Sequence, residues 1–309
     1  MIPVLNLQEF SHGNKPLFAK QLGEAYEDIG FVGLEGHFLS DEDSSRLYHL
    51  AESFFSLPLS VKMKYHRPSL FGQRGYTPFG TEHAKNSTEG DLKEFWQFGP
   101  ELDSELLKTL NYPANVVVDE FPELLDIGQK IYTALLKTGR EVLKAIALYL
   151  KLDEDFFESW VVSGNSILRP IHYPPIEKLT GNAIRSAEHE DINLITLLMG
   201  ASADGLQVLD RNGHWIDVKS QGHALVVNVG DMLQRLTNNR LRSTTHRVIN
   251  TPEALNGKSR YSIPFFLHPQ SDMPLNCLPV CVSESMEAQY SPILAGDYLD
   301  ERLREIGLK

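Results

Sequence analysis

The residues of this chain that are best suited to chemistry lie between positions 189 and 262. His189 and Asp191 stand two positions apart, so an extended strand presents their imidazole and carboxylate on one face. His246 is separated from Asp191 by 54 residues and must therefore come from another strand. Two imidazoles and one carboxylate on one face of an octahedral metal leave three adjacent positions open. This ligand set predicts an open Fe(II) centre that can admit further ligands.

A second pair of residues with the same spacing is suited to binding an anion. Arg260 and Ser262 also stand two apart, so a guanidinium and a hydroxyl share one face of a strand. The planar guanidinium can hold a carboxylate through two parallel hydrogen bonds, and the hydroxyl can add a third. The pair predicts a carboxylate site close to the metal.

The metal triplet is a weak signal when taken alone, because a His-x-Asp sequence also arises by chance. A structural metal site is normally closed by four protein ligands, whereas this chain offers three good ones. A hydrolytic zinc site remains an alternative, but the ligand set matches an iron centre better.

The overall composition excludes several functional classes. The chain has 309 residues, of which 42% are hydrophobic, and Lys+Arg number 29 against 41 Asp+Glu, a net charge of −12. Such an acidic balance argues against a nucleic-acid or anionic-membrane binder. No apolar run is long enough to span a bilayer, and the N-terminus lacks a signal-peptide pattern. With two cysteines, Cys277 and Cys281, we expect a reduced cytoplasmic protein. The sequence indicates no oligomeric state.

The first half of the chain predicts helices around a few short strands. Strands are expected at 2–7, 30–34 and 93–98, and the stretch 69–99 otherwise reads as a long loop. Ser40 has the type and position of a helix N-cap, with three acids after it. One or two long helices are expected over 119–150, and a shorter one from Asp153 to Trp160.

After Gly164 the pattern changes to β-branched runs and Asn-Gly turns, which favours antiparallel strands. We therefore expect an α+β protein with a mainly β core, a double-stranded β-helix or jelly-roll barrel, buttressed by N-terminal helices and one C-terminal helix. The expected units are an N-terminal helix and strand region at 1–160, the barrel at 161–272, and a C-terminal tail and helix at 273–309.

The order of these motifs resembles one known family. His189-Glu190-Asp191, His246 and Arg260-Tyr261-Ser262 follow one another as in the isopenicillin N synthase-like branch of the Fe(II)/2-oxoglutarate-dependent dioxygenases, in a bacterial-type member. The resemblance extends to Ile2-Pro3-Val4-Leu5-Asn6-Leu7 and Ile171-His172-Tyr173-Pro174, so it covers nearly the whole chain.

The resemblance implies a cofactor, a cosubstrate and a reaction. Fe(II) is held by His189, Asp191 and His246. 2-Oxoglutarate occupies two open positions, with its far carboxylate against Arg260, Ser262 and Tyr173. With O2 it yields succinate and CO2, while a C–H bond of a small molecule undergoes hydroxylation, desaturation or ring closure. Two alternatives stay open: an iron oxidase of this fold that needs no 2-oxoglutarate, and a non-catalytic jelly-roll that binds a small molecule and uses its metal structurally.

Candidate substrate contacts follow from strand alternation and from the resemblance. Arg169 falls on the same face as Tyr173, and Phe266 follows Ser262 on the inward face. The neighbourhood of the site in this family adds Arg74, Tyr76 and Phe95. A buried guanidinium needs an anionic partner, which for Arg169 is the substrate, the cosubstrate or an internal acid. If it is the substrate, the substrate is anionic.

Overall fold

The computed structural model describes residues 2–82, 92–175, 185–200, 205–218, 222–249 and 257–309. Strands β1 to β13 are, in order, Val4–Asn6, Phe31–Glu35, Gly75–Thr77, Glu94–Gln97, Ile167–Leu168, Ile171–Tyr173, Ser186–His189, Ile195–Met199, Leu206–Leu209, Trp215–Asp217, Leu225–Val229, His246–Val248 and Arg260–Leu267. Helices α1 to α9 are Leu7–His12, Lys15–Asp28, Asp41–Phe55, Leu59–Lys62, Ser104–Leu110, Glu123–Tyr149, Glu158–Val161, Asp231–Leu236 and Ala295–Glu305.

The larger of two sheets combines strands from both ends of the chain. Among the described residues it holds nine strands in the order β1-β2-β11-β8-β13-β6-β4-β3, with β5 also paired to β13. Only β1 and β2 run parallel, and the other pairs of this sheet are antiparallel. The smaller sheet has the order β10-β9-β12-β7. These two sheets are those of the double-stranded β-helix expected from the sequence.

Helices cover the outer face of the larger sheet. The long helix α6 packs between α2, α3 and the sheet strands β8 and β13. Gly139 of α6 makes this close approach possible, because a Cβ there would lie 2.3 Å from a methyl carbon of Leu267 in β13. The ring of Tyr132, two turns earlier, meets Phe265 edge-on at 5.0 Å. The side chains that face the barrel interior are thus supported from outside by a packed apolar layer.

Most elements predicted from the sequence are confirmed, with differences in detail. Ser40 caps α3 by accepting a hydrogen bond from the Asp43 amide, and the stretch 119–150 holds the single helix α6. The loop expected at 69–99 also contains β3, and its residues 83–91 lie outside the described residues. The helix expected from Asp153 onward is shorter, because 153–157 form turns that precede α7.

No helix in the described parts of the chain has the length and apolar character needed to cross a lipid bilayer.

Candidate active site

Two antiparallel strands bring the two histidines together. His189 ends β7 and His246 begins β12, and these two residues are directly opposite in the register of the pair. Their ring centroids lie 4.3 Å apart. Phe31 of β2 meets the His246 ring edge-on at 5.5 Å. The second histidine therefore reaches the first through strand pairing, as expected from the sequence.

Each of the two imidazoles is oriented by a hydrogen bond to the backbone. His189 Nδ1 donates to the Ala187 carbonyl at 2.7 Å, and His246 Nδ1 donates to the Thr244 carbonyl at 3.1 Å. A proton fixed on Nδ1 leaves the lone pair on Nε2, which is then the atom available to a metal. Burial lowers the pKa of His189 to about 4, and the nearby His246 adds to this effect. His189 is therefore neutral at physiological pH, as a metal ligand must be.

The Asp191 carboxylate is held by two polar side chains that use only one of its oxygens. Thr196 Oγ1 donates to Asp191 Oδ2 at 2.6 Å, and Asn228 Nδ2 donates to the same atom at 2.8 Å. The other oxygen, Oδ1, lies 3.7 Å from His246 Nε2. Burial raises the pKa of Asp191, but the two imidazoles and these hydrogen bonds outweigh it, so the pKa is lowered. The carboxylate thus presents one charged oxygen to the histidines.

The three side chains fit an Fe(II) ion by the chemistry of their donor atoms. One atom from each of His189, Asp191 and His246 can be chosen so that all three lie within 4.8 Å of one another. Two neutral nitrogens and one carboxylate oxygen, with no fourth His, Cys, Asp or Glu in the group found among the described residues, form an open site.

Arg260, Ser262 and Tyr173 are brought together by the pairing of β13 with β6. Arg260 lies opposite Tyr173, and Ser262 lies opposite Ile171. The guanidinium carbon of Arg260 is 5.1 Å from the centre of the Tyr173 ring. All three predicted residues are buried and line the cavity that contains the metal triad. The end of the cavity that these residues line carries one guanidinium and two hydroxyls, groups that can bind a carboxylate, and we call it the carboxylate-binding end.

A second buried guanidinium near Arg260 was not predicted from the sequence. Arg185 is 1% exposed, and its guanidinium carbon is 6.0 Å from the Tyr173 ring centre. It donates to the Lys258 carbonyl at 3.2 Å, while its Nε has no hydrogen-bond partner among the described residues. Burial lowers its pKa, and the charge of Arg260 adds to the effect. Two guanidiniums around one ring make this end strongly positive, which fits a cosubstrate with a free carboxylate.

The opposite part of the cavity holds Arg169, whose partner in the structure is an internal acid. Arg169 NH1 donates to Glu82 Oε2 at 3.1 Å, and its Nε donates to Gln97 Oε1 at 2.5 Å. Lys93 Nζ lies 2.7 Å from Glu82 Oε1. The guanidinium carbon of Arg169 lies 5.0 Å from the centre of the Phe266 ring. Of the three partners left open for Arg169, the structure shows the acid.

The cavity itself has the size of a small-molecule site. Its volume is about 590 Å³, within the range common for ligand pockets. Every second residue along β5 and β6 and along the facing strand β13 lines the cavity, as strand alternation predicts. These lining residues are Ile167, Arg169, Ile171 and Tyr173 on one side, and Arg260, Ser262, Pro264 and Phe266 on the other.

Three residues expected near the substrate do not line this cavity. Arg74 is buried elsewhere, where it donates to the Gln73 and Pro113 carbonyls and to Asn165 Oδ1. It fills the space beside Gly99, where a Cβ would overlap its guanidinium.

Tyr76 and Phe95 belong to β3 and β4, and their side chains are used for internal packing. The Tyr76 hydroxyl donates to Glu94 Oε2 at 2.5 Å, and its ring packs edge-on against Phe54. The Phe95 ring lies 4.4 Å from the guanidinium carbon of Arg169, so Phe95 supports a cavity residue without lining the cavity. The family-based expectation placed the right segment near the site but could not give its strand register.

Several polar side chains at this site were not predicted from the sequence. Thr196 and Asn228 left a recognisable signal, because each is a polar residue within an apolar strand run. Glu82, Lys93 and Gln97 left none, because they stand in or beside a stretch without periodicity. The C-terminal helix α9 also contributes to the cavity through Leu299, Arg302 and Leu303.

Comparison with known protein families gives two matches that together span most of the chain. Residues 2–120 match the family described as the N-terminal region of the non-haem dioxygenase in morphine synthesis. Residues 164–269 match the 2OG-Fe(II) oxygenase superfamily. A 2-oxoglutarate-Fe(II) type oxidoreductase of Emericella nidulans is 32% identical over 96% of this chain and 87% of its own length. A proline hydroxylase of Petromyces alliaceus is 33% identical over 94% of each chain.

Comparison with solved structures indicates the same family. A 2OG-Fe(II) oxygenase family protein from Caulobacter crescentus is 41% identical, with a TM-score of 0.88 over 98% of each chain. A full-length Neurospora crassa protein in complex with alpha-KG and thymine is 28% identical, with a TM-score of 0.87 over 98% of this chain and 96% of that one.

Proposed function

This chain belongs to the 2OG-Fe(II) oxygenase superfamily, and we propose that His189, Asp191 and His246 hold its iron. It is a non-haem Fe(II)- and 2-oxoglutarate-dependent oxygenase. The observation that carries the metal assignment is the orientation of the donors. Both Nδ1 atoms of the histidines are committed to backbone carbonyls, and Asp191 Oδ2 is committed to two side chains. The remaining atoms of the three side chains converge.

We also propose that Arg260, Ser262 and Tyr173 bind the far carboxylate of 2-oxoglutarate. The guanidinium supplies charge and a planar pair of donors, and the two hydroxyls can supply further hydrogen bonds. Arg185 raises the positive potential at this end without lining the cavity. The metal triad lines the same cavity, so we propose that a dicarboxylic acid held here by one end directs its other end towards the triad.

The chain's own residues have three tasks in the reaction. Thr196 and Asn228 hold Asp191 Oδ2 and leave Oδ1 turned towards the histidines, and their hydrogen bonds add to the effect of the two imidazoles in keeping the carboxylate ionised. The carboxylate-binding end fixes the position and direction of 2-oxoglutarate. The apolar lining, including Phe266, excludes water from the site. Bound iron and 2-oxoglutarate supply the oxidising power, with release of succinate and CO2 when a C–H bond of a small molecule is oxidised.

The substrate proposed here is a small anionic molecule. The Neurospora crassa protein of similar structure has been solved in complexes with two small molecules, thymine and 5-formyluracil. In this chain the cavity volume fits such a ligand. Arg169 lines the cavity and carries more N–H groups than the two that donate to Glu82 and Gln97, which supports an anionic ligand. The net charge of −12 supports the absence of a nucleic-acid or membrane partner. The two free cysteines support a cytoplasmic location.

The metal assignment is tested by substituting the three proposed ligands one at a time. His189→Ala, Asp191→Ala and His246→Ala should each reduce Fe(II) affinity by a factor of about 100 or more, measured by anaerobic calorimetry, while circular dichroism shows a folded protein. His214→Ala is the matched control, because His214 is an exposed histidine beside a turn. Wild-type iron affinity in the Asp191→Ala protein contradicts the assignment.

The same preparation separates the two alternatives that the sequence left open. Iron-loaded wild-type protein should bind 2-oxoglutarate and release succinate when a panel of metabolites is added under air. An oxidase that does not use 2-oxoglutarate would consume O2 with its substrate but release no succinate. A non-catalytic binding protein would bind metabolites without consuming O2 or releasing succinate.

A further inference from the structure

His172 lies behind the carboxylate-binding end, on the face of the sheet that is turned away from the cavity. Side chains alternate along β6, so Tyr173 points into the cavity and His172 points to the opposite face. Within the sheet, His172 is directly opposite Glu94 of β4 on one side and Tyr261 of β13 on the other. Its side chain is only 12% exposed, although it does not line the cavity.

Each of the two ring nitrogens of His172 has a hydrogen-bond partner. Nδ1 lies 2.8 Å from Glu94 Oε1 and donates to it, because an ionised carboxylate can only accept. Nε2 pairs with the Ser259 hydroxyl at 2.9 Å, and Ser259 is the residue that precedes Arg260 in the chain. The imidazole therefore connects β4 to the beginning of β13.

The Glu94 carboxylate at one end of this connection is itself held by other side chains. Glu94 is 1% exposed, and its Oε2 accepts from Lys62 Nζ at 2.7 Å and from the Tyr76 hydroxyl at 2.5 Å. Burial raises the pKa of Glu94, but the hydrogen bonds from His172, Lys62 and Tyr76 outweigh it, so the pKa is lowered. The carboxylate is thus an ionised, fixed acceptor for the imidazole.

The plane of the His172 ring is fixed by two aromatic neighbours. The ring is tilted by 15° from the Tyr261 ring, with the centroids 4.9 Å apart. It is tilted by 28° from the Phe55 ring, with the centroids 5.5 Å apart. Stacked rings at these distances attract one another and restrict rotation of the imidazole. The Nε2 atom therefore stays directed at Ser259.

The two residues that precede Arg260 are both held by buried side chains. Arg185 donates to the Lys258 carbonyl at 3.2 Å, and His172 pairs with the Ser259 hydroxyl. Arg260 follows as the first residue of β13. A guanidinium forms two parallel hydrogen bonds with a carboxylate only when its plane and position match those of the carboxylate. The beginning of β13 must therefore be placed accurately for Arg260 to bind its ligand well.

We propose that His172 is a positioning residue for the cosubstrate: by connecting Ser259 to Glu94, it fixes the position of Arg260 and thereby the length of the 2-oxo dicarboxylic acid that the cavity accepts. The distance between Arg260 and the metal triad decides which acid reaches both. A fixed Arg260 favours 2-oxoglutarate over 2-oxoadipate, which is longer by one methylene group. The inference rests on the proposed function, because it takes Arg260 as the partner of the far carboxylate.

The experiment compares the binding of 2-oxoglutarate, 2-oxoadipate and 2-oxopentanoate to anaerobic, iron-loaded protein. 2-Oxoadipate carries its far carboxylate one methylene group further from the 2-oxo group than 2-oxoglutarate does. 2-Oxopentanoate has a methyl group in place of that carboxylate. Calorimetry gives the Kd of each acid, and the visible absorption band of the iron complex shows that the 2-oxo group is bound at the metal. Wild type should bind 2-oxoglutarate most tightly.

Two substitutions of His172 separate its two hydrogen bonds. A glutamine amide reaches the place of Nε2 and can still pair with Ser259, whereas the shorter asparagine amide reaches the place of Nδ1 and can pair only with Glu94. His172→Asn should raise the Kd for 2-oxoglutarate about fivefold and reduce the preference over 2-oxoadipate by a similar factor, as expected for one lost hydrogen bond. His172→Gln should keep both values within about twofold of wild type.

Ser259→Ala removes the other partner of the same hydrogen bond and should reproduce the values of His172→Asn. Because both changes break one interaction, the double variant should bind 2-oxoglutarate no more weakly than either single variant. 2-Oxopentanoate has no far carboxylate and should bind all of these proteins as it binds wild type. Ser259 is only partly buried, so its alanine variant provides the test even if a substitution of His172 prevents folding.

Tyr76→Phe is the matched control, because it removes a hydrogen bond to the same Glu94 carboxylate but leaves both bonds of His172 in place. It should lower the temperature of thermal unfolding and leave the Kd of each of the acids unchanged. Thermal unfolding of every variant shows that the compared proteins are folded. A loss of stability alone therefore cannot account for a changed ratio between 2-oxoglutarate and 2-oxoadipate.

An unchanged ratio of the two dicarboxylic acids in Ser259→Ala would overturn the proposal. So would additive losses in the double variant, an equal loss of affinity for 2-oxopentanoate, or a loss in His172→Gln as large as in His172→Asn. Failure of the proposed function gives a different result, already in wild type. The absorption band of the iron complex would then be missing, or wild type would bind 2-oxoglutarate and 2-oxopentanoate equally tightly.

Discussion

At the scale of single residues, we predict that substitutions of Arg260 and Tyr173, at the carboxylate-binding end of the cavity, weaken 2-oxoglutarate binding to different degrees. Arg260→Lys keeps a charge but loses the planar pair of donors, so the Kd for 2-oxoglutarate should rise about tenfold or more. Arg260→Ala should raise it further. Tyr173→Phe removes one hydrogen bond worth about 1 kcal/mol, which is roughly a fivefold change.

These Kd values can be measured by anaerobic titration of 2-oxoglutarate into the iron-loaded protein. Arg140→Lys is the control, because Arg140 pairs with Glu158 away from the cavity. Equal 2-oxoglutarate affinity in wild type and Arg260→Ala would rule out the assigned role.

Glu82 also predicts how the stability of the protein depends on pH. Its folded-state pKa, about 2, lies below its ordinary value of 4.5, so the folded state favours the ionised form. The resulting stabilisation is complete above pH 4.5 and is lost as the pH falls towards 2, and for a shift of this size it amounts to about 3 kcal/mol. Glu82→Gln should therefore lower the free energy of unfolding at a pH of about 7 by that much and by about half as much or less near a pH of about 3.

Urea unfolding at a series of pH values measures this difference. Glu284→Gln, at an exposed position, is the control and should show no such trend. A difference between wild type and Glu82→Gln that is the same at neutral and at acidic pH contradicts the prediction.

The spacing of residues in the sequence was sufficient to predict which side chains share a face of a strand. His189 and Asp191, or Arg260 and Ser262, share a face because side chains alternate along any strand. Glu82 could not be predicted as the partner of Arg169, because the two are 87 positions apart and alternation says nothing about such contacts.

At the scale of elements, the junction between β11 and α8 predicts a link between packing and iron binding. A Cβ at Gly230 would lie 2.2 Å from Asn193 Oδ1 and 2.3 Å from its carbonyl oxygen. The next residue, Asp231, donates its amide to the Asp191 carbonyl at 2.9 Å. Gly230→Ala should force these segments apart, destabilise the protein by about 2 kcal/mol and weaken iron binding roughly tenfold or more.

Calorimetry with Fe(II) and urea unfolding test both effects. Gly213→Ala is the control, because that glycine has a φ of +80° with nothing within 4 Å of a built Cβ. It should cost about 1 kcal/mol through backbone strain and leave iron affinity unchanged. Unaltered iron affinity in Gly230→Ala would show that the junction does not position Asp191.

Long amphipathic elements were predicted well, whereas short ones were not. Helices α2, α3 and α6 carry repeated apolar positions and clear ends. Strand β3 has three residues and α8 has six, which is too few for a repeat of apolar positions to be recognised in the sequence. The register of β3 and β4 is set by their pairing with each other and with β6, so Arg74 and Tyr76 could not be placed correctly from local sequence.

At the scale of the whole molecule, the larger sheet predicts that the barrel depends on the N-terminal strands. The division of the chain into three units, with boundaries after residues 160 and 272, remains a prediction. Strand β11 is paired on one side with β2 and on the other with β8. A fragment of residues 161–272 would leave the β2 edge of β11 open and the outer face of the sheet without α6, so it should not unfold cooperatively.

Near-ultraviolet circular dichroism during urea unfolding makes the comparison, with the full chain as the control. The full chain should show one cooperative transition. A cooperative transition of the 161–272 fragment would show instead that the barrel is stable alone.

The pairing of β2 with β11 also has a consequence for the order of events during synthesis. Phe31 pairs with Asn228, which the ribosome adds 197 residues later (228 − 31). At about 5 to 20 residues per second, β2 waits roughly 10 to 40 seconds for its partner. During that time the apolar segment Phe31-Val32-Gly33-Leu34 has an unsatisfied edge, which favours association with other chains. We therefore expect the nascent chain to be open to such association until nearly three quarters of it has been made.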